Sequence, residues 1–382
     1  MRIRNTVPWV FALLLSMGAA GCADLAAVDP AELSAGAAGP RGTSLFPANS
    51  TAARAGIVVN SVAPAESASA WGAIGESGVG WVRLTAYWNL VEDSARVLHL
   101  DALKRNIAAA RELGIQVELT VHGTPWWAQG CATSADPACA DTRRPPADTH
   151  WNTWQWFMER LTEELDTYPH DVKAYGIWNE PNDEAFLRPR PGQVAFDVYL
   201  DFLRYAAPYV RGNNAWVVAG ELAQGGSHGG DWVQLLAPQH QYWDVLALHQ
   251  YNASTCTEHD VHRARSKLNG MDKQIWLTEA GTPTLVHDEM DQAKNVTGYL
   301  AEMVDATQTG GCAWDSADAQ GYPDADWDVT FIWYMWPEDP EHPHTGLITD
   351  RATFNRRPAF YCLKAFARGQ LRPAYCERDG DL

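Results

Sequence analysis

The sequence predicts an α/β protein folded as a single (β/α)8 TIM barrel. Short apolar runs alternate with amphipathic helical patterns over about 325 residues, the beat of parallel strands joined by helices. Eight such runs can be counted, and most of them end in a polar residue, as strands do when they feed a functional mouth. A doubly wound open sheet would share the beat, but no Gly-rich phosphate fingerprint follows the first run.

The strand candidates are Gly56–Asn60, Trp81–Thr85, Gln116–His122, Ala174–Asn179, Trp216–Glu221, Val245–His249, Ile275–Glu279 and Phe331–Trp336. Trp71–Ser77 reads as a short helix after the first. Asp101–Leu113 has apolar residues at helical spacing and stops at Gly114, a C-cap signal. Trp151–Leu165 and Val194–Val210 are amphipathic, Glu258–Leu268 and Asp288–Thr307 follow, and the run from Arg357 to Phe366 closes the barrel. The longest connections follow strands 3, 6 and 7. The first of these, Gly123 to His150, carries Pro125-Trp126-Trp127, and in this architecture such loops build the active face.

Two segments precede the barrel. Arg2 and Arg4, the apolar stretch Val7–Met17 and Gly18-Ala-Ala-Gly21 read as an export signal over residues 1–22, too short for a membrane span. Ala19-Ala20-Gly21-Cys22 resembles a bacterial lipobox, with Cys22 as the lipidated residue. Ala19 stands where Leu is commoner, and simple secretion is the alternative. Residues 23–52, rich in Ala, Gly, Pro and Ser, read as a flexible linker, which leaves 53–378 as the barrel domain. Setting Cys22 aside, six of the seven cysteines remain. Local spacing suggests Cys131–Cys139, Cys256–Cys312 and Cys362–Cys376, one of fifteen possible connectivities. No Cys-x-x-Cys is present, which speaks against zinc.

The net charge of −18 argues against nucleic acid and polyanionic partners. Trp is unusually frequent, at 18 residues. Most will be core, but a cleft that stacks flat sugar faces would add to the number.

The chemistry lies where strands stop. Tyr175-Gly-Ile-Trp-Asn-Glu-Pro-Asn182 begins apolar and ends in Asn179-Glu180, and Gln274-Ile-Trp-Leu-Thr-Glu-Ala-Gly281 repeats that form with Glu279. A carboxyl at the end of a buried strand is rigid, partly desolvated and open to a cleft, which suits acid–base work. Two such glutamates are the minimum equipment of a glycosidase. Arg83, His122, His249, Tyr251 and Trp336 also fall at or near strand ends and should converge on one mouth.

These motifs resemble the retaining glycoside hydrolases of clan A, especially the cellulase-like and β-xylosidase-like branches. The likeness runs from about residue 54 to 370. It includes Trp81-Val-Arg83, Thr124-Pro125-Trp126-Trp127-Ala128, Asn179-Glu180-Pro181, Thr278-Glu279 and the stretch Trp333 to Trp336. The resemblance implies Glu180 as general acid–base and Glu279 as nucleophile. It implies Asn179 on the sugar 2-hydroxyl, Tyr251 and Arg83 beside the nucleophile, His122 and His249 as sugar-binding or proton-tuning histidines, and Trp126 and Trp336 as sugar-binding residues. No cofactor or metal is called for. The acidic clusters Asp324–Asp328 and Glu338–Glu341 read as solvated loops, since the spacing of a calcium loop is missing.

The expected activity is hydrolysis of O-glycosidic bonds in a poly- or oligosaccharide by an endo-acting, monomeric, envelope-tethered or secreted enzyme. Exo action, transglycosylation and a non-catalytic carbohydrate-binding lipoprotein are the alternatives.

Overall fold

A computed structural model describes residues 51–59, 67–166, 171–223, 231–251, 257–281, 289–304, 328–332, 346–349 and 354–370. Eight parallel strands close into one barrel in sequence order. They are β1 (Ala55–Val58), β2 (Trp81–Tyr87), β3 (Gln116–His122), β4 (Val172–Ile177), β5 (Trp216–Leu222), β6 (Val245–Tyr251), β7 (Gln274–Gly281) and β8 (Val329–Ile332). β1 pairs with β8, so the open-sheet alternative is excluded.

Helices pack around it: α1 (Ser67–Ser77), α2 (Trp88–Val91), α3 (Asp101–Glu112), α4 (Trp151–Leu165), α5 (Ala195–Gly212), α6 (Trp232–Leu236), α7 (Thr257–Lys267), α8 (Glu289–Val304) and α9 (Pro358–Ala367). α3 shows why the sequence makes them. Leu103, Ile107 and Ala110 recur at helical spacing and are buried, while Asp101 and Arg111 complement the dipole at either end. Gly114, at φ 69°, turns the chain out, and Ile115 N–H closes on Ala110 O at 2.9 Å. The small helix α2, which carries buried Trp88, was not foreseen. The last residues of the expected linker pack on the barrel. Thr51 Oγ1 donates to Ala367 O at 3.2 Å, and Gly80 N–H to Ala52 O at 2.8 Å.

The barrel interior is layered. Trp81, Trp216, Trp276 and Phe331 form an aromatic floor with ring centroids 4.9–6.3 Å apart. Gly56 faces that floor, where a Cβ would stand 2.5 Å from the Phe331 ring. One pleat further towards the strand ends the interior turns polar. Along β3, Val117, Leu119 and Val121 alternate with Glu118, Thr120 and His122, so one column of side chains is apolar and the other polar. Trp81 pairs with Gln116, Arg83 with Glu118 and Tyr87 with His122, which fixes the height of each layer.

Candidate active site

The polar strand ends meet at one mouth. β6 and β7 slip register between Leu248 and His249, and beyond the slip His249 lies beside Glu279. A second irregularity between Ala219 and Leu222 ends the regular pairing of β5 with β6 and aims Glu221 inward. Trp178, Glu180 and Glu221 all hold positive φ, at 69°, 42° and 44°. Non-glycine residues in that region carry strain that surrounding contacts must hold in place.

Those contacts are visible. Trp178 N–H donates to Val121 O at 2.9 Å, its indole donates to Phe186 O at 3.0 Å, and its ring packs 4.4 Å from Phe202. Glu180 N–H donates to Glu221 O at 3.2 Å. Asn182 braces the loops after β4 and β5 through two bonds with Ala223, donating to its carbonyl at 3.2 Å and accepting from its N–H at 2.9 Å.

Glu180 and Glu279 share one nitrogen. His249 Nδ1 is 2.8 Å from Glu180 Oε1 and 3.2 Å from Glu279 Oε2. The nearest carboxylate oxygens of the two glutamates lie within 4.8 Å of each other. Glu279 receives donors on both oxygens: Arg83 Nη1 at 2.7 Å on Oε1 and the Tyr251 hydroxyl on Oε2. Burial pushes the Glu279 carboxyl up, while His249 and Arg83 pull it back. Burial and the neighbouring Glu279 keep Tyr251 a neutral phenol.

Arg83 is only 2% exposed and organises the floor of the mouth. Nη2 donates to Asn179 Oδ1 at 3.0 Å and to Glu221 Oε2, and Nε lies 3.3 Å from Glu118 Oε2. Burial alone would lower its affinity for the proton, but Glu221, Glu279 and Glu118 outweigh it and hold the guanidinium charged. Burial, then the charge of Arg83, pushes the His122 imidazole down to about 3. His122 is therefore a neutral hydrogen-bonding group, set between Tyr87 (4.7 Å) and Trp178 (6.2 Å).

The loop after β3 forms a stitched wall. Gln129 Nε2 donates to Thr124 O at 3.1 Å and Asp141 O at 3.0 Å, and Arg190 Nη2 ties it to the loop after β4 through Gln129 O at 3.1 Å. Cys131 and Cys139 are disulfide-bonded, with Cα atoms 6.3 Å apart. Trp126 is partly exposed in this loop, and Trp127 packs edge-on against Trp88. Cys362 is also disulfide-bonded. Its expected partner Cys376, the pair Cys256–Cys312, Trp336, Cys22 and most of the acidic clusters lie outside the described residues. Asp328, at the edge of one cluster, accepts from Ile275 N–H at 3.0 Å and anchors the start of β7.

Glu180, His249 and Glu279 are close enough together to hold a cation. Arg83 already supplies positive charge 2.7 Å from Glu279, however, and both oxygens of that carboxylate have donors. The arrangement suits proton transfer and attack by a carboxylate better than metal binding.

Sequence reasoning passed over Glu118, Thr120 and Glu221. The signal was present in the polar alternation of Gln116, Glu118, Thr120 and His122 within an otherwise apolar strand, and in Glu221 at the end of the fifth candidate.

The glycosyl hydrolase catalytic core family model matches residues 146–320, a segment that carries Asn179, Glu180, Glu221, His249 and Glu279 and covers less than half of the chain. No curated protein matches the sequence. Among solved structures the chain is similar to a family 39 glycoside hydrolase from Bacteroides cellulosilyticus WH2, with 16% identity and a TM-score of 0.58 over 83% of this chain and 64% of that one. It is also similar to a GH39 beta-xylosidase from Caulobacter crescentus (16% identity, TM-score 0.55, 87% of this chain and 73% of that one). A GH30 endoxylanase from Clostridium papyrosolvens C71 is a third (17% identity, TM-score 0.56, 84% of this chain and 72% of that one). At such identities the likeness shows the fold. The chain spans just under two-thirds of the length of the first of these proteins.

The barrel thus combines a segment that matches a glycosyl hydrolase catalytic core with paired carboxyls at its strand ends.

Proposed function

We propose that this protein is a retaining β-glycosidase that hydrolyses O-glycosidic bonds of a poly- or oligosaccharide by double displacement. One observation carries the reading: one oxygen of Glu180 and one of Glu279 lie within 4.8 Å of each other, and His249 Nδ1 reaches both carboxylates. Retaining pairs stand about 5–5.5 Å apart, whereas inverting pairs need about 6.5–9.5 Å to admit a water.

Glu279, kept ionised by Arg83 and Tyr251, attacks the anomeric carbon. The glycosidic C–O bond breaks as Glu180 gives its proton to the leaving oxygen. A water then attacks the same carbon, Glu180 takes its proton, and Glu279 leaves as carboxylate. Asn179, its Oδ1 fixed by Arg83, offers its amide N–H groups to the sugar 2-hydroxyl. Neutral His122 hydrogen-bonds the sugar, His249 bridges the two carboxyls as a sugar-binding or proton-tuning group, and Trp126 and Trp336 are assigned as stacking platforms.

The long stitched wall after β3 favours an open cleft and endo action on a polymer. Exo action of the β-xylosidase kind and transglycosylation use the same intermediate, and the structural neighbours include both a β-xylosidase and an endoxylanase. The buried charges gathered on Glu279 have no use in a protein that only binds sugar, which disfavours the non-catalytic reading. We assign the enzyme to the exterior of a bacterial cell, as a monomer either tethered through a lipid on Cys22 or secreted.

The test is reducing-sugar release across β-glucans, xylans, mannans, galactans and bacterial exopolysaccharides, with Glu279→Ala as the blank. Release by the wild type alone supports the assignment, and product sizes separate endo from exo action. Equal release by the variant refutes it.

A further inference from the structure

A second pair of carboxyls lies beneath the first, and the double displacement makes no direct use of it. Glu118, in the middle of β3, and Glu221, at the end of β5, are both fully buried. They approach each other over Gly176 of β4. A Cβ on that glycine would overlap Glu221 Oε1 and stand 2.5 Å from Glu118 Oε1. Thr120 Oγ1 lies 3.0 Å from Glu221 Oε1 and 3.3 Å from Glu118 Oε1.

The charges around this pair do not balance if every carboxyl is ionised. Arg83 faces Glu118, Glu221 and Glu279 together. From the other elements, His249 Nε2 is 4.0 Å from Glu221 Oε2, and His122 stays neutral beside Arg83. Tyr199 of α5 accepts the Gly220 N–H beside Glu221, and burial holds it a neutral phenol. Asn179 and Thr120 carry no charge. One guanidinium against three buried carboxylates is costly, and touching carboxyls relieve that cost by keeping a proton.

We propose that Glu118 and Glu221 share one proton, carried on Glu118, and act as a positioning pair that aims Arg83 and sets the negative charge competing with Glu279 for it. Burial, and then the charge of Glu221, push the Glu118 carboxyl well up, and a hydrogen bond joins the two groups. Protonated Glu118 donates to Glu221, whose Oε2 accepts from Nη2 of Arg83. That leaves Nη1 directed at Glu279. Only the last link, from Arg83 to the reaction, rests on the glycosidase reading.

The test compares Glu118→Gln, Glu118→Leu and Glu221→Gln. An amide can donate as the neutral acid does, so Glu118→Gln should leave the acid limb of the kcat/KM pH profile in place. Glu118→Leu removes that donor and should lower kcat about tenfold at similar KM, as expected for one lost hydrogen bond to a charged group. Glu221→Gln removes the competing anion and should move the acid limb to lower pH. An acid limb that moves equally in Glu118→Gln and Glu221→Gln would mean that Glu118 is ionised, and one that moves in neither would mean that the pair does not act on Glu279. Either result overturns the proposal. Infrared spectroscopy near neutral pH needs no substrate. Glu180, the general acid, contributes a protonated-carboxyl band to both proteins, so the wild type should show one such band more than Glu118→Gln, and an unchanged protonated-carboxyl intensity in the variant places the proton elsewhere and refutes the assignment. If no glycan is cut, the glycosidase reading fails by itself while the infrared result still decides the proton.

Discussion

Arg83 and Glu279 meet across the barrel, Nη1 to Oε1 at 2.7 Å, although 196 residues separate them in sequence. The guanidinium comes from β2, the carboxylate from β7, and both are buried. In this setting the ion pair holds Glu279 charged against burial, which pushes its carboxyl up. Replacing Arg83 by Met should therefore raise the Glu279 carboxyl further and move the acid limb of activity to higher pH. It should also destabilise the fold by about 3–5 kcal/mol, the usual cost of stranding buried charge. Denaturant titration and a pH–rate profile check the two halves separately.

In the wild type the same reasoning fixes the sign of the pH dependence. A nucleophile must be ionised, and burial raises the Glu279 carboxyl. On the acid side activity should fall as pH drops through that raised value, at a pH above the ordinary glutamate range near ~4.3, while loss of the Glu180 proton sets the alkaline limb. A limb at or below that range would mean that Arg83 and His249 outweigh burial.

Tyr251 donates to the Glu279 oxygen that Arg83 does not hold. Tyr251→Phe keeps the ring and removes the donor. A hydrogen bond to a charged group contributes about 1.5–3 kcal/mol, so kcat should fall about 10- to 100-fold. Thermal melting should be little altered, which separates a chemical effect from unfolding.

Glu118 gives a stability signature of opposite sign to that of an ion-paired carboxylate. Its folded carboxyl is pushed well above the ordinary value by burial and by Glu221. Its stabilising contribution is complete below the unfolded value of ~4.3 and is lost as pH rises towards the folded one, at up to ~1.4 kcal/mol per pH unit. Glu118→Gln should remove that slope, so its stability relative to the wild type should grow with pH. Denaturant midpoints measured across the acid-to-neutral range test this.

Gly176 is needed for space. The carboxyl pair fills the position a Cβ would take. Gly176→Ala should cost about 1–3 kcal/mol through overpacking, and more if the pair is forced to part. A neutral substitution effect, read from the denaturant midpoint, would show that the two glutamates can move aside.

Much of this was legible before the structure. All eight strands were marked by apolar runs, because strands buried on both faces have no polar side to hide them. Glu180 and Glu279 stood out because each ends such a run. Boundaries slipped where tertiary pairing decides them: β4 runs from Val172 to Ile177, earlier than the apolar stretch suggested. Glu118 escaped notice for a physical reason. A charged residue in mid-strand contradicts the burial that the flanking Val117 and Leu119 imply, and only the opposing Arg83 and Glu221, brought in by barrel closure, resolve the contradiction. Glu221 ends the fifth apolar run as Glu279 ends the seventh, but the register shift that brings it to Arg83 is set by pairing with β6 and is not written in the run itself.

The central claim is that Glu279 and Glu180 act on one anomeric carbon in two inverting steps. The most direct measurement follows the anomeric proton by NMR during cleavage of a β-linked glycan that the wild type cuts, before mutarotation sets in. The β-anomer as first product is the result the account predicts. The α-anomer would mean a single inversion with water between the two carboxyls, and would contradict it.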